Sequence, residues 1–170
     1  ASASGHGYDH NACDPATGDV YHVPFGSRVV RRWSGSWSSL PAWSQNTSGL
    51  GALTWVSGLG LFYNDGFGLL HWNGSSWTTR HTLGNGSYHD FSEYNDAADV
   101  LIFGGGNRSG YFKMARNLSV SPIASPGFTI GANPNTQGIA VSDPNGATLI
   151  ARSASGTWAA YNISTNQWST

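Results

Sequence analysis

The chain has 170 residues, only 10% of them charged, and a formal net charge of -1. That length suits one domain with a sizeable core. So little charge leaves no electrostatic basis for binding nucleic acid or an anionic membrane surface, and no apolar run reaches the roughly 18 residues of a membrane span.

Glycine is abundant (23), and there are 8 Trp, 7 Tyr and 7 Phe. Aromatic and glycine-rich composition disfavours helices and suits strands joined by tight turns. Cys13 is the only cysteine, so no intrachain disulfide can form, and it reads as a small buried thiol on a strand. The chain starts without Met or a signal-peptide pattern, so it is expected to be processed, trimmed or a fragment. Asn-X-Ser/Thr triplets occur at Asn46, Asn73, Asn85, Asn107, Asn117 and Asn162. They are the acceptor pattern of a secreted glycoprotein, although such triplets also arise by chance in an Asn- and Ser-rich chain.

In chain order, "HGYDHNAC" (His6–Cys13) leads into the turn "DPATGD" (Asp14–Asp19). Three short segments follow it, "VYHVPFG", "SRVVRRWS" and "GSWSSLP", each bounded by Gly, Pro or Ser. The same order of segments returns over Ala52–Leu83, His89–Ile123 and Gly138–Thr170. Asp14, Ser57, Asn95 and Asp143 take equivalent first turns, recurring at the roughly 40–50 residues of a four-stranded propeller blade. The second segments, Val20–Val23, Leu59–Tyr63, Val100–Phe103 and Ala147–Ala151, are apolar runs of the kind buried on both faces. The fourth segments carry Trp37, Trp77 and Trp168, whereas the third repeat has "LSVSPI" there. The expected fold class is therefore all-β, a β-propeller of four four-stranded blades in one domain spanning 1–170. The expected blades are 5–43, 50–83, 86–123 and 136–170. Asn11–Asp14, Leu53–Val56, Ser92–Tyr94 and Ile139–Ser142 would be the innermost strands, and a β-sandwich is the rival arrangement.

"DVLIFGGGNRSGYFKM" (Asp99–Met114) resembles a kelch repeat, with an apolar strand, a Gly-Gly and a later aromatic. "SRVVRRWSGSWSSLP" (Ser27–Pro41) and "TWAAYNISTNQWST" (Thr157–Thr170) are similar to the Trp-bearing end of such a repeat. The resemblance, to kelch-like, galactose-oxidase-type propellers, spans the whole chain and implies a propeller but no particular activity. Kelch rings have more than four blades. The resemblance therefore implies part of a larger ring, or one completed by self-association or by missing blades.

In a propeller, the loops that join blades and those that join strands two and three gather on one face, where ligands dock. That face would collect His6, Tyr8, His10, Arg28, Asp65, Tyr88, His89 and Arg108. No catalytic residue, metal ligand or cofactor is assigned. His6 and His10 lie roughly 13 Å apart on an extended strand, too far to share one ion. "FGGGNRSG" lacks the Lys-Ser/Thr ending and the following helix of a phosphate loop. A copper site of the galactose-oxidase type would need Cys13 and a ligand set that is not recognisable. The expected function is a non-enzymatic recognition or structural module, binding carbohydrate or protein outside the cell or on a particle surface. The alternative is a lyase-type polysaccharide-degrading enzyme. It would draw a base from Tyr8, His10 or His89 and use Arg108 to neutralise a uronate.

Overall fold

The computed structural model describes residues 10–44, 51–84, 90–105, 110–130, 139–153 and 155–170. Among them are sixteen strands and no α-helix, arranged as four antiparallel sheets of four. Blade 1 holds β1 (Asn11–Cys13), β2 (Val20–His22), β3 (Arg31–Trp33) and β4 (Trp37–Ser39). Blade 2 holds β5 (Ala52–Val56), β6 (Gly60–Asn64), β7 (Gly68–Trp72) and β8 (Trp77–Thr82). Blade 3 holds β9 (Asp90–Asn95), β10 (Val100–Gly105), β11 (Tyr111–Ala115) and β12 (Val120–Pro122). Blade 4 holds β13 (Ile139–Ser142), β14 (Thr148–Arg152), β15 (Trp158–Asn162) and β16 (Gln167–Ser169). Each sheet is a meander in which strands adjacent in sequence are adjacent in space.

The first strands of the blades are neighbours in series: β1 lies beside β5, β5 beside β9, and β9 beside β13. This is the inner-strand arrangement of a propeller and excludes a two-layer sandwich. The sheets are not closed, which is consistent with an incomplete ring. Pairing places Asp14 opposite Asp19, Asn95 opposite Val100 and Asp143 opposite Thr148 at the first turns. In blade 2 that position belongs to Val56, opposite Gly60, rather than to Ser57, because its hairpin is one residue shorter.

The packing explains the repeat. Leu61, Leu101 and Leu149 occupy matching second-strand positions and are all at most 1% exposed. Each faces the preceding blade. Leu61 joins Tyr21, Val23 and Val30 of blade 1, Leu101 joins Phe62 and Leu69 of blade 2, and Leu149 joins Ile102 and Tyr111 of blade 3. Burial of such a side chain stabilises the fold by ~1.5–3 kcal/mol, so the three apolar seams carry much of the fold. This is why the second strands of blades 2 and 3 read as continuous apolar runs: both of their faces meet another blade, whereas Val20 of β2 and Ile150 of β14 are exposed on faces that meet no described blade.

Polar side chains then fix the blades to one another. Asn64 Nδ2 donates to the carbonyls of Phe91 (3.0 Å) and Gly104 (3.4 Å), tying blade 2 to blade 3. Asn95 Nδ2 points at the carbonyls of Gly146 (2.9 Å), Asp143 (3.1 Å) and Thr148 (3.3 Å), capping the first turn of blade 4. Both asparagines are fully buried. Trp77 Nε1 donates to Pro41 O (2.9 Å) and Trp168 Nε1 to Ala124 O (2.7 Å), so two outer strands each grip the segment leaving the previous blade. Blade 3 has Val120 at the matching position, opposite Met114, and has no such clasp.

Candidate functional site

A groove of about 290 Å³ runs along the inner strands of the first three blades. It is lined by Asn11, Ala12 and Cys13 of β1, Leu53, Thr54 and Trp55 of β5, and Ser92, Glu93 and Tyr94 of β9, with Asp96 just beyond. Cys13, Trp55 and Tyr94 are at matching positions near the ends of their strands. The groove is thus nearer the first turns than the loops joining strands two and three. Its volume is at the lower end of small-ligand sites, which run from about 300 to 1,000 Å³.

The groove's polar groups are held in place. Thr54 Oγ1 donates to Ser92 O (2.6 Å), and Glu93 Oε2 accepts the backbone N–H of Ser142 (3.2 Å). Tyr94 donates its hydroxyl to Asp99 Oδ1 (2.6 Å). Burial, then that hydrogen bond and the charges of Asp99 and Asp96, push the Tyr94 phenol up to about 12 against the opposing pull of Arg116. Tyr94 is therefore a neutral donor at ordinary pH. Arg116 braces Asp99 at 3.6 Å and donates to Ser57 O of blade 2. Trp55 is backed by Tyr21, with ring centroids 5.5 Å apart and planes 14° from parallel. The result is a fixed indole beside carboxylates, an amide and a neutral phenol. Such a set can pack on an apolar ring face and bond hydroxyl groups around it.

Of the residues expected on the opposite face, His6, Tyr8, Tyr88, His89 and Arg108 lie outside the described residues. His10 is described and is 1% exposed, so it is buried at the start of blade 1, where its carbonyl accepts the N–H of Val23 (2.9 Å). Asp65 is also 1% exposed, and its Oδ1 accepts the N–H groups of Phe67 and Gly68 at 2.8 Å each. That carboxylate shapes its own loop. Arg28 is exposed in the loop between β2 and β3. Cys13 departs from expectation: it is exposed and free, because the face of β1 that carries it has no described blade before it.

Sequence reasoning missed the groove residues Asn11, Trp55, Glu93 and Asp96. The available signal was that Cys13, Trp55 and Tyr94 lie near the ends of the inner strands of three successive repeats. The triplets at Asn73, Asn117 and Asn162 share one region, from the end of the third strand into the turn before the fourth. Asn73 Oδ1 accepts from Ser75 and Ser76, Asn117 Oδ1 accepts from Ser119, and Asn162 Oδ1 accepts the N–H of Thr165. Asn at these turns thus has a local structural reason. Asn46, Asn85 and Asn107 lie outside the described residues. Among the described residues no group of three or more His, Cys, Asp or Glu is placed to hold a metal ion.

The fold and groove define a β-propeller-type chain, and the comparisons with solved structures agree. The chain resembles a catalytically inactive virginiamycin B lyase from Staphylococcus aureus with quinupristin, at 10% identity and a TM-score of 0.61, covering 87% of this chain and 53% of that one. It resembles a chain of a mitotic checkpoint complex at 14% identity and a TM-score of 0.67, covering 96% of this chain and 48% of that one. It resembles a chain of a nidogen/laminin complex at 13% identity and a TM-score of 0.70, covering 93% of this chain and 62% of that one. The chain thus spans about half of the lyase chain and of the checkpoint chain, and rather more of the third. These are propellers of several kinds, so the likeness is to the propeller fold and not to kelch propellers in particular. No family model matches the chain. No curated protein matches it.

Proposed function

We propose that this chain is a non-enzymatic recognition module whose inner-strand groove binds a short, neutral segment of carbohydrate. The observation that carries the reading is Trp55, held against Tyr21 and flanked by Asn11, Glu93, Tyr94 and Asp96 in one groove. A pyranose presents an apolar C–H face to an indole and hydroxyls to amides and carboxylates, and the groove's volume matches about one ring. The balanced net charge of -1 favours a neutral ligand over a polyanion. A neutral, hydrogen-bonding surface suits an extracellular or particle-surface setting.

A second reading rests on a different observation. Phe25 and Phe67 are 38% and 39% exposed and occupy the strand two–three loops of neighbouring blades. Two exposed aromatics on one loop face suit a protein partner. Protein-binding propellers are among the structural neighbours. The lyase alternative depends on Tyr8, His89 and Arg108, outside the described residues, and on His10, which is buried.

A glycan array probed with the chain tests the primary reading. Neutral glycans should bind, and Trp55→Ala and the exposed Asp96→Ala should each weaken binding at least about tenfold, the equivalent of ~1.4 kcal/mol. No glycan bound, with a protein captured in a parallel pull-down and lost in Phe67→Ser, would replace the groove by the loop face. Release of unsaturated uronides from an acidic polysaccharide, abolished by His89→Ala, would replace binding by catalysis.

A further inference from the structure

Among the described residues, six of the eight large apolar side chains that stay exposed lie on just two surfaces. Val20, Trp33 and Trp37 lie on the face of blade 1 that matches the preceding-blade face of blades 2 to 4. Val141, Ile150 and Trp158 lie on the opposite face of blade 4, where blades 1 to 3 meet their successors. Register makes the equivalence explicit. Val20, Trp33 and Trp37 correspond to Leu61, Trp72 and Trp77 of blade 2. Ile150 and Trp158 correspond to Phe62 and Leu69 of blade 2, both fully buried against blade 3.

The pair Trp33–Trp37 already has the form of an occupied clasp. Its centroids are 5.5 Å apart at 57°, and those of Trp72–Trp77 are 5.5 Å apart at 51°. In blade 2 that pair lodges on the segment leaving blade 1, with Trp77 Nε1 on Pro41 O and its ring edge-on to Trp43 at 5.8 Å. Trp37 is 52% exposed, and its indole N–H has no acceptor among the described residues. One difference shows what kind of neighbour fits. Where blade 2 has Leu53, Tyr63 and Leu70 in its second row, blade 1 has Asn11, His22 and Arg31. An apolar row beside a polar row is the anatomy of an association interface that is also exposed to water.

We infer that two copies of this chain associate head to tail, the exposed face of blade 4 in each covering the Val20–Trp33–Trp37 face of blade 1 in the other, to close an eight-bladed ring. Each chain carries both halves of the contact, and both continue the seam already present three times within it. Eight blades fall within the usual range of about four to eight. A head-to-tail contact that closes after two copies gives a two-fold ring rather than an open filament. The inference does not rest on what the groove binds.

Sedimentation equilibrium of the chain across a range of concentrations tests it. The mass should rise from 18.0 kDa to twice that value and stop there. Trp37→Asp and Ile150→Asp, at exposed positions, should each keep the native far-ultraviolet spectrum and sediment as monomers. Mixed together, they should recover a dimer, because the mixture retains one intact contact between the unmutated blade 4 face of the first and the unmutated blade 1 face of the second. A mass that stays at that of one chain, one that grows past two copies, or a mixture that fails to pair would each overturn the inference. Glycan binding by the monomeric variants separates this outcome from failure of the groove reading.

Discussion

The indole N–H of Trp168, on the outermost strand of blade 4, donates to the carbonyl of Ala124, in the segment that leaves blade 3, at 2.7 Å. The bond joins residues 44 apart in sequence and closes the outer edge of the seam between two blades. Trp168→Phe keeps most of the ring contacts with Tyr161 and Phe128 but removes the donor. The expected loss is about 1 kcal/mol, read as a lower urea midpoint at unchanged slope. A variant as stable as the parent would show that the clasp contributes only packing.

Asn95 presents one amide nitrogen to three carbonyl oxygens of blade 4 while its Oδ1 accepts the N–H of Ala98 at 2.8 Å. Asn95→Asp keeps the acceptor but sets a carboxylate oxygen against those carbonyls in a fully buried site. Asn95→Asp is expected to destabilise by more than the ~1–3 kcal/mol of a lost buried hydrogen bond. Hydrogen exchange should show faster opening in blade 4 than in blade 1, and uniform loss across the chain would contradict the placement of this link.

His71 is held as one neutral tautomer. Its Nε2 is 2.8 Å from Leu59 O, which can only accept, and its Nδ1 takes hydrogen bonds from Arg80, which can only donate. Burial and then the Arg80 charge hold its pKa below the ordinary 6.5, although the Leu59 carbonyl pulls the other way. The folded state therefore disfavours the proton. This contribution to stability is fully present above pH 6.5 and is lost as pH falls through the depressed folded value. His81, lowered by burial, acts in the same direction. Denaturation midpoints should fall as pH drops below 6.5, and His71→Gln should flatten that slope. An NMR titration placing the His71 ring at or above 6.5 would contradict the assignment.

Gly105 has φ +92°, and a Cβ there would meet Ile130 O at 2.7 Å and the Phe91 ring at 2.9 Å. Gly18 has φ +76° with nothing within 4 Å of such a Cβ. Gly18→Ala is expected to cause only the left-handed penalty of about 1–2 kcal/mol, whereas Gly105→Ala must also displace backbone. Thermal unfolding of the two variants should separate them clearly, and equal losses would mean that the seam beside Ile130 yields easily.

The four-segment repeat, the strands of each blade and the apolar second strands were legible in the chain because they are local. Alternation, turn residues and apolar runs act over a few positions, and each unit repeats them. Trp37, Trp77 and Trp168 were legible as a repeated feature, but not that two of them donate across a seam while the first is left exposed. That difference depends on which blade stands in front. The tertiary structure alone decided that Cys13 lies open where a buried thiol was expected, and that the groove collects near the ends of the inner strands. Each outcome depends on a neighbour some 40 residues away, or on the absence of one among the described residues, and local pattern carries no information about either. The likeness to propellers and an incomplete ring likewise followed from the repeats, whereas the side chains left exposed on the two end faces were identified only once the seams were built.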